Sequence, residues 1–178
     1  MEEKAKAPFL KPALIYGAIL GIVTVFISLV FYFLGISTDR WTNWVSMLIT
    51  LVLLVYLMIQ YRKVYLGGYA SFGQIFVMVL VSAGIVASII NTVYTYLLFT
   101  VIDPGLLDQM RVVAEERIMN NPRIPESMYD NMFERMEKNF QVARMVKLGL
   151  IGGVVINAIL GLIIAAFLKK EEDINIPA

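Results

Sequence analysis

The sequence contains no cysteine and no histidine in 178 residues. The lack of cysteine excludes disulfides and thiol nucleophiles. The lack of histidine excludes imidazole acid–base catalysis and haem ligation by imidazole. Both absences also remove the usual ligands of zinc. We therefore expect no metal and no other cofactor.

Charge is scarce as well. Charged residues make up 16% of the chain and hydrophobic residues 59%, whereas soluble domains average about 25% charged and about 45–50% apolar residues. The mean hydropathy is +0.74. The net charge of +1 provides no field that would attract nucleic acid. This composition is typical of an integral membrane protein with no nucleic-acid partner.

Four stretches without charged side chains are long enough to cross the hydrocarbon core of a bilayer, which takes about 20 helical residues. The predicted spans cover residues 13–34, 42–61, 72–101 and 148–168. We predict an all-α integral membrane protein, a bundle of four transmembrane helices that forms one membrane domain over residues 1–178. No ionisable side chain lies in a predicted span, which argues against an ion-coupled pump.

The third uncharged stretch, residues 64–102, is longer than one span and shorter than two. Gly67 and Gly68 interrupt the helical pattern near its start. We therefore predict an interfacial turn followed by a single long helix. A re-entrant segment within residues 64–80 is the alternative.

Orientation follows from the lysine and arginine residues near the span ends. The basic residues predicted to share the side of the two termini are Lys4, Lys6, Lys11, Arg62, Lys63, Lys169 and Lys170. The short loop on the other side contains only Arg40. Because positive charge is retained in the cytoplasm, we predict that both termini are cytoplasmic.

Residues 103–147 contain most of the charge in the middle of the chain, and their apolar residues recur at helical spacing. We predict an extracytoplasmic amphipathic helical hairpin that turns at residues 120–122. One face of its second helix carries the three methionines Met128, Met132 and Met136. Apolar packing or partner binding is the expected use of this face, and binding of Cu(I) is the alternative.

Small residues recur every four positions on two predicted spans. They are Gly17 and Gly21 on the first span, and Gly149, Gly153, Asn157 and Gly161 on the fourth. Such stripes allow helix backbones to approach closely. Two uses remain open, which are packing within one bundle and a homodimer interface.

Asn91 and Asn157 are the most polar side chains in the predicted spans. An unpaired amide in hydrocarbon costs on the order of 2–7 kcal/mol, so each should face another helix. We expect them to bond to each other or to a hydroxyl of Thr92, Thr95 or Ser28. The alternative is that Asn91, Asn157 and Thr95 line a polar path.

Residues 62–76 read R-K-V-Y-L-G-G-Y-A-S-F-G-Q-I-F. This segment resembles the G-G-x-x-S-F-G-Q-x-F pattern of a Bacteroidota membrane-protein family known as domain of unknown function 4199. Residues 16–21 and 91–104 are similar to that family as well. The resemblance implies a four-span protein of the bacterial inner membrane. It implies no catalytic or ligand-binding residue.

The same segment has a physical interpretation as a cytoplasmic elbow, formed by Gly67, Gly68, Ser71, Phe72 and Gln74. The glycines permit a turn that bulkier residues disfavour. Ser71 is placed to cap the third span. A purely structural elbow is expected, and a site for a cytoplasmic partner or a lipid headgroup is the alternative.

The function predicted from these patterns is non-enzymatic and depends on protein or lipid contacts. The expected partners are the lipid bilayer and either a second copy or another membrane protein, bound through the hairpin. No serine lies in a Gly-x-Ser-x-Gly elbow, and the hairpin carboxylates are expected to be solvated. A small passive channel or transporter subunit is the alternative function.

Overall fold

Four long helices dominate the computed structural model, which describes residues 9–170. They are Leu10–Phe33, Arg40–Tyr65, Phe72–Ile102 and Val142–Leu168. Each is long and apolar enough to cross a bilayer. Residues 9–170 contain no β-strand, only an isolated bridge between Ala70 and Lys170. The predicted all-helical chain with four membrane-length helices is confirmed.

Two of these helices extend beyond the apolar stretches that predicted them. The second continues through Arg62 and Lys63 to Tyr65, because basic side chains are good helix formers that can reach towards water from an apolar surface. The fourth begins at Val142. Residues 142–147 therefore belong to the long helix, and assigning them to the hairpin was wrong.

The third long helix, Phe72–Ile102, is uninterrupted. A re-entrant segment within residues 64–80 is therefore wrong. The helix contains two π-helical segments, Leu80–Ala87 and Leu98–Ile102. In the first, the Ser88 hydroxyl donates to the Ala83 carbonyl five positions back at 3.2 Å. These wider turns shift the helix faces relative to a regular α-helix.

The elbow between the second and third long helices contains the predicted turn and cap. Gly67 and Gly68 have φ angles of +63° and +93°, in the left-handed region that favours glycine. The Gln74 backbone N–H donates to Ser71 Oγ at 3.3 Å. The Ser71 N–H donates to Gln74 Oε1 at 2.8 Å. This reciprocal capping box confirms the predicted cap at Ser71.

The buried core lies in the half of the bundle next to the elbow. Its largest fully buried side chains include Leu20, Leu54, Met58, Ile75, Met78 and Val79. The fourth long helix contributes Ile164 and Ala165 to this core. In the other half, the second helix buries only Thr42 before Leu54. The bundle is therefore closed at the elbow end and looser at the opposite end.

Two shorter helices, Leu106–Met119 and Tyr129–Asn139, lie at the looser end. The first begins at Leu106, whose N–H donates to Asp103 Oδ1 at 3.0 Å. The Tyr129 hydroxyl donates to the Met119 carbonyl at 3.1 Å. These helices and the long helices share an apolar cluster formed by Leu98, Phe99, Leu106 and Leu107, with Tyr32, Tyr94, Met110, Phe140, Val142 and Met145 around it.

The three hairpin methionines differ in burial. Met136 is buried, Met132 is half-buried and Met128 is exposed. Apolar packing therefore accounts for the inner end of this face. The outer end remains open to a partner or to solvent.

The small-residue stripes bring the first and fourth long helices against the third. A Cβ atom on Gly17 would lie 2.5 Å from the Val86 Cβ and 2.6 Å from the Ser82 carbonyl oxygen. Gly21 faces Ile90 in the same way, and Gly153 faces Ser88. These stripe positions therefore serve packing within one chain.

Gly17→Ala should reduce the free energy of unfolding by about 1–3 kcal/mol, because the added methyl group meets backbone that cannot move aside. Gly152→Ala is the matched control, since a Cβ there has no neighbour within 4 Å. The control should change stability by less than about 1 kcal/mol. Denaturant titration of the protein in micelles measures both values, and equal values would contradict the close contact at Gly17.

Candidate functional site

A cavity of about 260 Å³ lies between the four long helices. We call it the inter-helix cavity. Its polar lining residues are Thr24, Thr50, Ser88, Asn91, Thr92, Thr95 and Asn157. Its remaining lining residues are Leu20, Ala83, Ala87, Met145, Val146, Gly149 and Gly153. The third and fourth long helices supply most of the lining, and the second supplies only Thr50.

The cavity occupies the space between the core and the hairpin end. Leu20, Ala83 and Ala87 belong both to the cavity lining and to the buried core. Met145 belongs both to the lining and to the apolar cluster shared with the hairpin. The cavity is therefore bounded by the buried core on the elbow side. On the other side, part of its wall contacts the apolar cluster that the long helices share with the hairpin.

The structure brings together six of the residues named in the sequence analysis. The residues that line the cavity are Asn91, Thr92, Thr95, Gly149, Gly153 and Asn157. The other stripe glycines do not line it. Gly17 and Gly21 contact the third helix directly, and Gly161 contacts Phe76 and Val79.

Asn91 links the third long helix to the first. Its Nδ2 donates to Thr24 Oγ1 at 2.8 Å and to the Ala87 carbonyl at 2.8 Å. The expected partners were Asn157, Thr92, Thr95 and Ser28, so the observed partner Thr24 is a correction. A strict four-residue repeat pointed to Ser28, but Thr24 is three positions after Gly21 and shares its face at 3.6 residues per turn.

Asn157 bonds within its own helix. Its Nδ2 donates to the Gly153 carbonyl at 2.8 Å. The expected bond to another helix is therefore replaced by a local bond to the carbonyl four positions back, as Asn91 and Thr95 also make. The Asn157 side chain still borders the cavity.

Three of the hydroxyl groups in the cavity lining donate their protons within their own helix. Thr50 donates to the Ser46 carbonyl at 2.8 Å, and Thr95 donates to the Asn91 carbonyl at 2.8 Å. Ser88 donates to Ala83, as described above. A hydroxyl has one proton and two lone pairs, so these oxygens can still accept. Among the described residues, no ionisable side chain lines the cavity, which is therefore uncharged and rich in acceptors.

The elbow is a second candidate site, and the structure ties it to the end of the fourth long helix. Ala70 and Lys170 exchange two backbone hydrogen bonds of 2.8 and 2.9 Å. Arg62 Nη1 donates to the Leu168 carbonyl at 2.8 Å, and Lys170 Nζ lies 5.4 Å from the centroid of the Tyr69 ring. These bonds give the elbow a structural role in joining two helix ends.

Part of the elbow remains open. Phe72 and Gln74 are exposed, and the Phe72 ring stacks on Phe76 with centroids 6.2 Å apart. The alternative that this surface contacts a partner or a lipid headgroup stays a prediction.

A surface groove on the hairpin collects several carboxylates. Arg111, Glu115, Glu134 and Glu137 border it. Lys138 donates to Glu134 at 2.6 Å, and this bond and its charge lower the pKa of Glu134 below the ordinary value. Within residues 9–170, no group of three or more acidic side chains is placed to hold a metal ion. The arrangement is that of a solvated, ion-paired surface.

Replacing Thr24 by Val and Asn91 by Leu, singly and together, should reveal a coupling energy of about 0.5–1.5 kcal/mol, the range for side-chain hydrogen bonds between membrane helices. Each replacement keeps the number and branching of the side-chain heavy atoms and removes the hydrogen-bonding groups. The four unfolding free energies of this double-mutant cycle give the coupling. A value indistinguishable from zero would show that the bond does not hold the helices together.

Comparisons with known proteins identify the family of the chain. No curated protein and no solved structure matches the chain significantly. A family model described as "Protein of unknown function (DUF4199)" matches residues 15–170. The match extends from the first long helix to the end of the fourth, including the elbow and the hairpin. The chain therefore belongs to this family, as the elbow sequence predicted.

Proposed function

We propose that this chain is a multi-pass protein of the bacterial inner membrane that acts without catalysis, through protein or lipid contacts. The observation that carries the proposal is the difference between the two ends of the bundle. The elbow end is filled by the buried core, whereas the hairpin end holds an uncharged cavity and an amphipathic hairpin. The two features that could contact a protein or a lipid, the cavity and the hairpin, therefore both lie at the hairpin end of the bundle.

The charge distribution supports an orientation with both chain ends in the cytoplasm. Arg62, Lys63, Lys169 and Lys170 lie at the elbow end of the long helices. Lys11 lies at the same end, and the opposite ends of the long helices carry the smaller set Arg40, Arg144 and Lys147. The positive-inside tendency then places the elbow inside and the hairpin outside. Lys4 and Lys6, which contributed to the same prediction, lie outside the described residues.

The chemistry of the cavity supports a non-enzymatic role. General acid–base catalysis needs a side chain that can exchange a proton near neutral pH. The lining residues in the described part of the chain are hydroxyls, amides, glycines and apolar groups. These groups can bind and orient a molecule, but they supply no such proton carrier.

A passive channel is the second candidate, because Asn91, Thr95 and Asn157 do border one cavity. Transport across the membrane would also need a path through the elbow half. Met58, Ile75 and Met78 fill that half and are fully buried. The geometry therefore favours a closed-ended cavity over a channel.

The hairpin is the proposed recognition element for a second copy or another membrane protein. Val112, Met119 and Met128 are large apolar side chains exposed on it. The stripe glycines on the first and fourth helices mostly contact the third helix of the same chain. A partner would therefore use the hairpin rather than these stripes.

The absence of native cysteine allows the orientation to be tested with single cysteines. Glu116→Cys lies on the hairpin and Lys63→Cys near the elbow, and both positions are exposed. A membrane-impermeant maleimide should label Glu116→Cys in intact spheroplasts and label Lys63→Cys only after permeabilisation. Labelling in the reverse order would invert the proposed orientation.

Partner contact through the hairpin should appear in photocrosslinking from native membranes. A benzophenone maleimide attached at Met119→Cys should give discrete adducts, because Met119 is exposed on the hairpin. Ile151→Cys, equally exposed on the fourth long helix, is the matched control and should crosslink to lipid. Protein adducts that are equal at both positions, or absent at Met119, would remove the hairpin from the proposal.

A further inference from the structure

We propose that the inter-helix cavity binds an uncharged polyol group, supplied by a free solute or by the headgroup of a lipid. The inference deepens the proposed function and rests on it, since it treats the cavity as a contact site. It follows from three properties of the lining, which are its charge, its balance of donors and acceptors, and its size.

The lining excludes charged ligands. An ion that enters a low-dielectric site loses its hydration and needs an opposite charge to compensate. The described lining residues offer no such charge. The ligand is therefore neutral.

The hydrogen bonds around the cavity determine what the neutral ligand must supply. Thr50, Ser88 and Thr95 each donate their one proton to a backbone carbonyl. Asn91 uses both N–H groups, on Thr24 and Ala87. Acceptor lone pairs remain on these hydroxyl oxygens. A ligand that matches them must bring several hydrogen-bond donors.

Hydroxyl groups meet this requirement without charge. Each donates one hydrogen bond and can accept another, for example from the second N–H of Asn157. A hydroxyl on each of two or three adjacent carbons would let one molecule reach several lining oxygens. Ethers and esters lack donors and would leave the same oxygens unmatched.

The size and the apolar wall distinguish a polyol from water alone. At about 30 Å³ per water, the volume of about 260 Å³ corresponds to roughly nine waters. Part of its wall is apolar, formed by Leu20, Ala83 and Val146. The carbon atoms of a polyol can cover this wall while its hydroxyls face the oxygens, which is the usual composition of a small-molecule site.

Binding is tested with the full-length protein in detergent micelles. Native mass spectrometry measures binding of 1-monooleoylglycerol, and saturation-transfer NMR measures binding of glycerol. The matched probes are the same molecules with every free hydroxyl methylated, which removes the donors. We expect the hydroxyl form of one or both probes to bind at least about fivefold better than its methylated form, the factor that one net hydrogen bond contributes.

Two variants connect the binding to the cavity. Thr50→Val and Asn157→Leu remove lining groups whose bonds are confined to their own helices, so the bundle should remain folded. Each should weaken binding by about fivefold. Ile156→Leu, at an exposed position beside Asn157, is the control and should not change it.

The outcomes separate the two sources of the polyol. If only monooleoylglycerol binds selectively, the ligand is a lipid headgroup. If only glycerol binds selectively, the ligand is a free solute. If both bind selectively, the site recognises the polyol group that they share. Equal binding of the methylated probes, no binding of either hydroxyl probe, or no effect of both variants would overturn the inference and leave the cavity to water. If the hairpin is still labelled from outside the cell, the proposed function survives that result.

Discussion

The close approach of the first and fourth long helices to the third is the contact on which the rest of the structure depends. Apolar side chains gain little by leaving lipid for one another, so membrane helices associate through tight van der Waals packing. Gly17, Gly21 and Gly153 provide that packing at positions where a side chain would collide with Ser82, Val86, Ile90 or Ser88. The third helix thereby becomes the centre of the bundle, with a neighbour held against it by each stripe.

The cavity is a consequence of where this packing stops. The core side chains of all four long helices lie in the elbow half, where the Arg62 and Ala70 hydrogen bonds also join the helix ends. Towards the hairpin the helices bury few residues, and the space between them is lined by hydroxyl and amide groups. Polar groups are tolerated there because Thr24, Thr50, Ser88, Asn91, Thr95 and Asn157 bond to a backbone carbonyl or to a neighbouring side chain. The same bonding leaves acceptor lone pairs on the hydroxyl oxygens of the lining, and the proposed polyol site rests on them.

The hairpin and the elbow complete opposite ends of this arrangement. The elbow combines two glycines in the left-handed region with a local capping box, and the bonds of Ala70 and Arg62 tie it to the end of the fourth long helix. The hairpin depends on contacts with distant residues, through Leu106, Leu107 and the ends of the long helices. Its outer surface carries the ion pair of Lys138 with Glu134 and exposed methionine. The elbow end is thus held by backbone and side-chain hydrogen bonds, whereas the hairpin end exposes apolar and charged side chains.

The sequence alone determined the four long helices. Lipid offers no hydrogen-bond partner to the backbone, so an uncharged segment that is long enough to cross the bilayer satisfies its backbone groups by forming a helix. The sequence also determined the turn and the cap of the elbow, since Gly67 and Gly68 permit the turn and Ser71 and Gln74 bond to each other over three residues. The bonds from the elbow to the fourth long helix belong to the tertiary structure. Only the tertiary structure decided which helix faces meet. The bond between Asn91 and Thr24 joins residues 67 positions apart, and the π-helical turns before and after Asn91 alter the faces that a regular period would predict. The cavity likewise depends on how far four helices separate, a distance set by all their side chains together and by no local pattern.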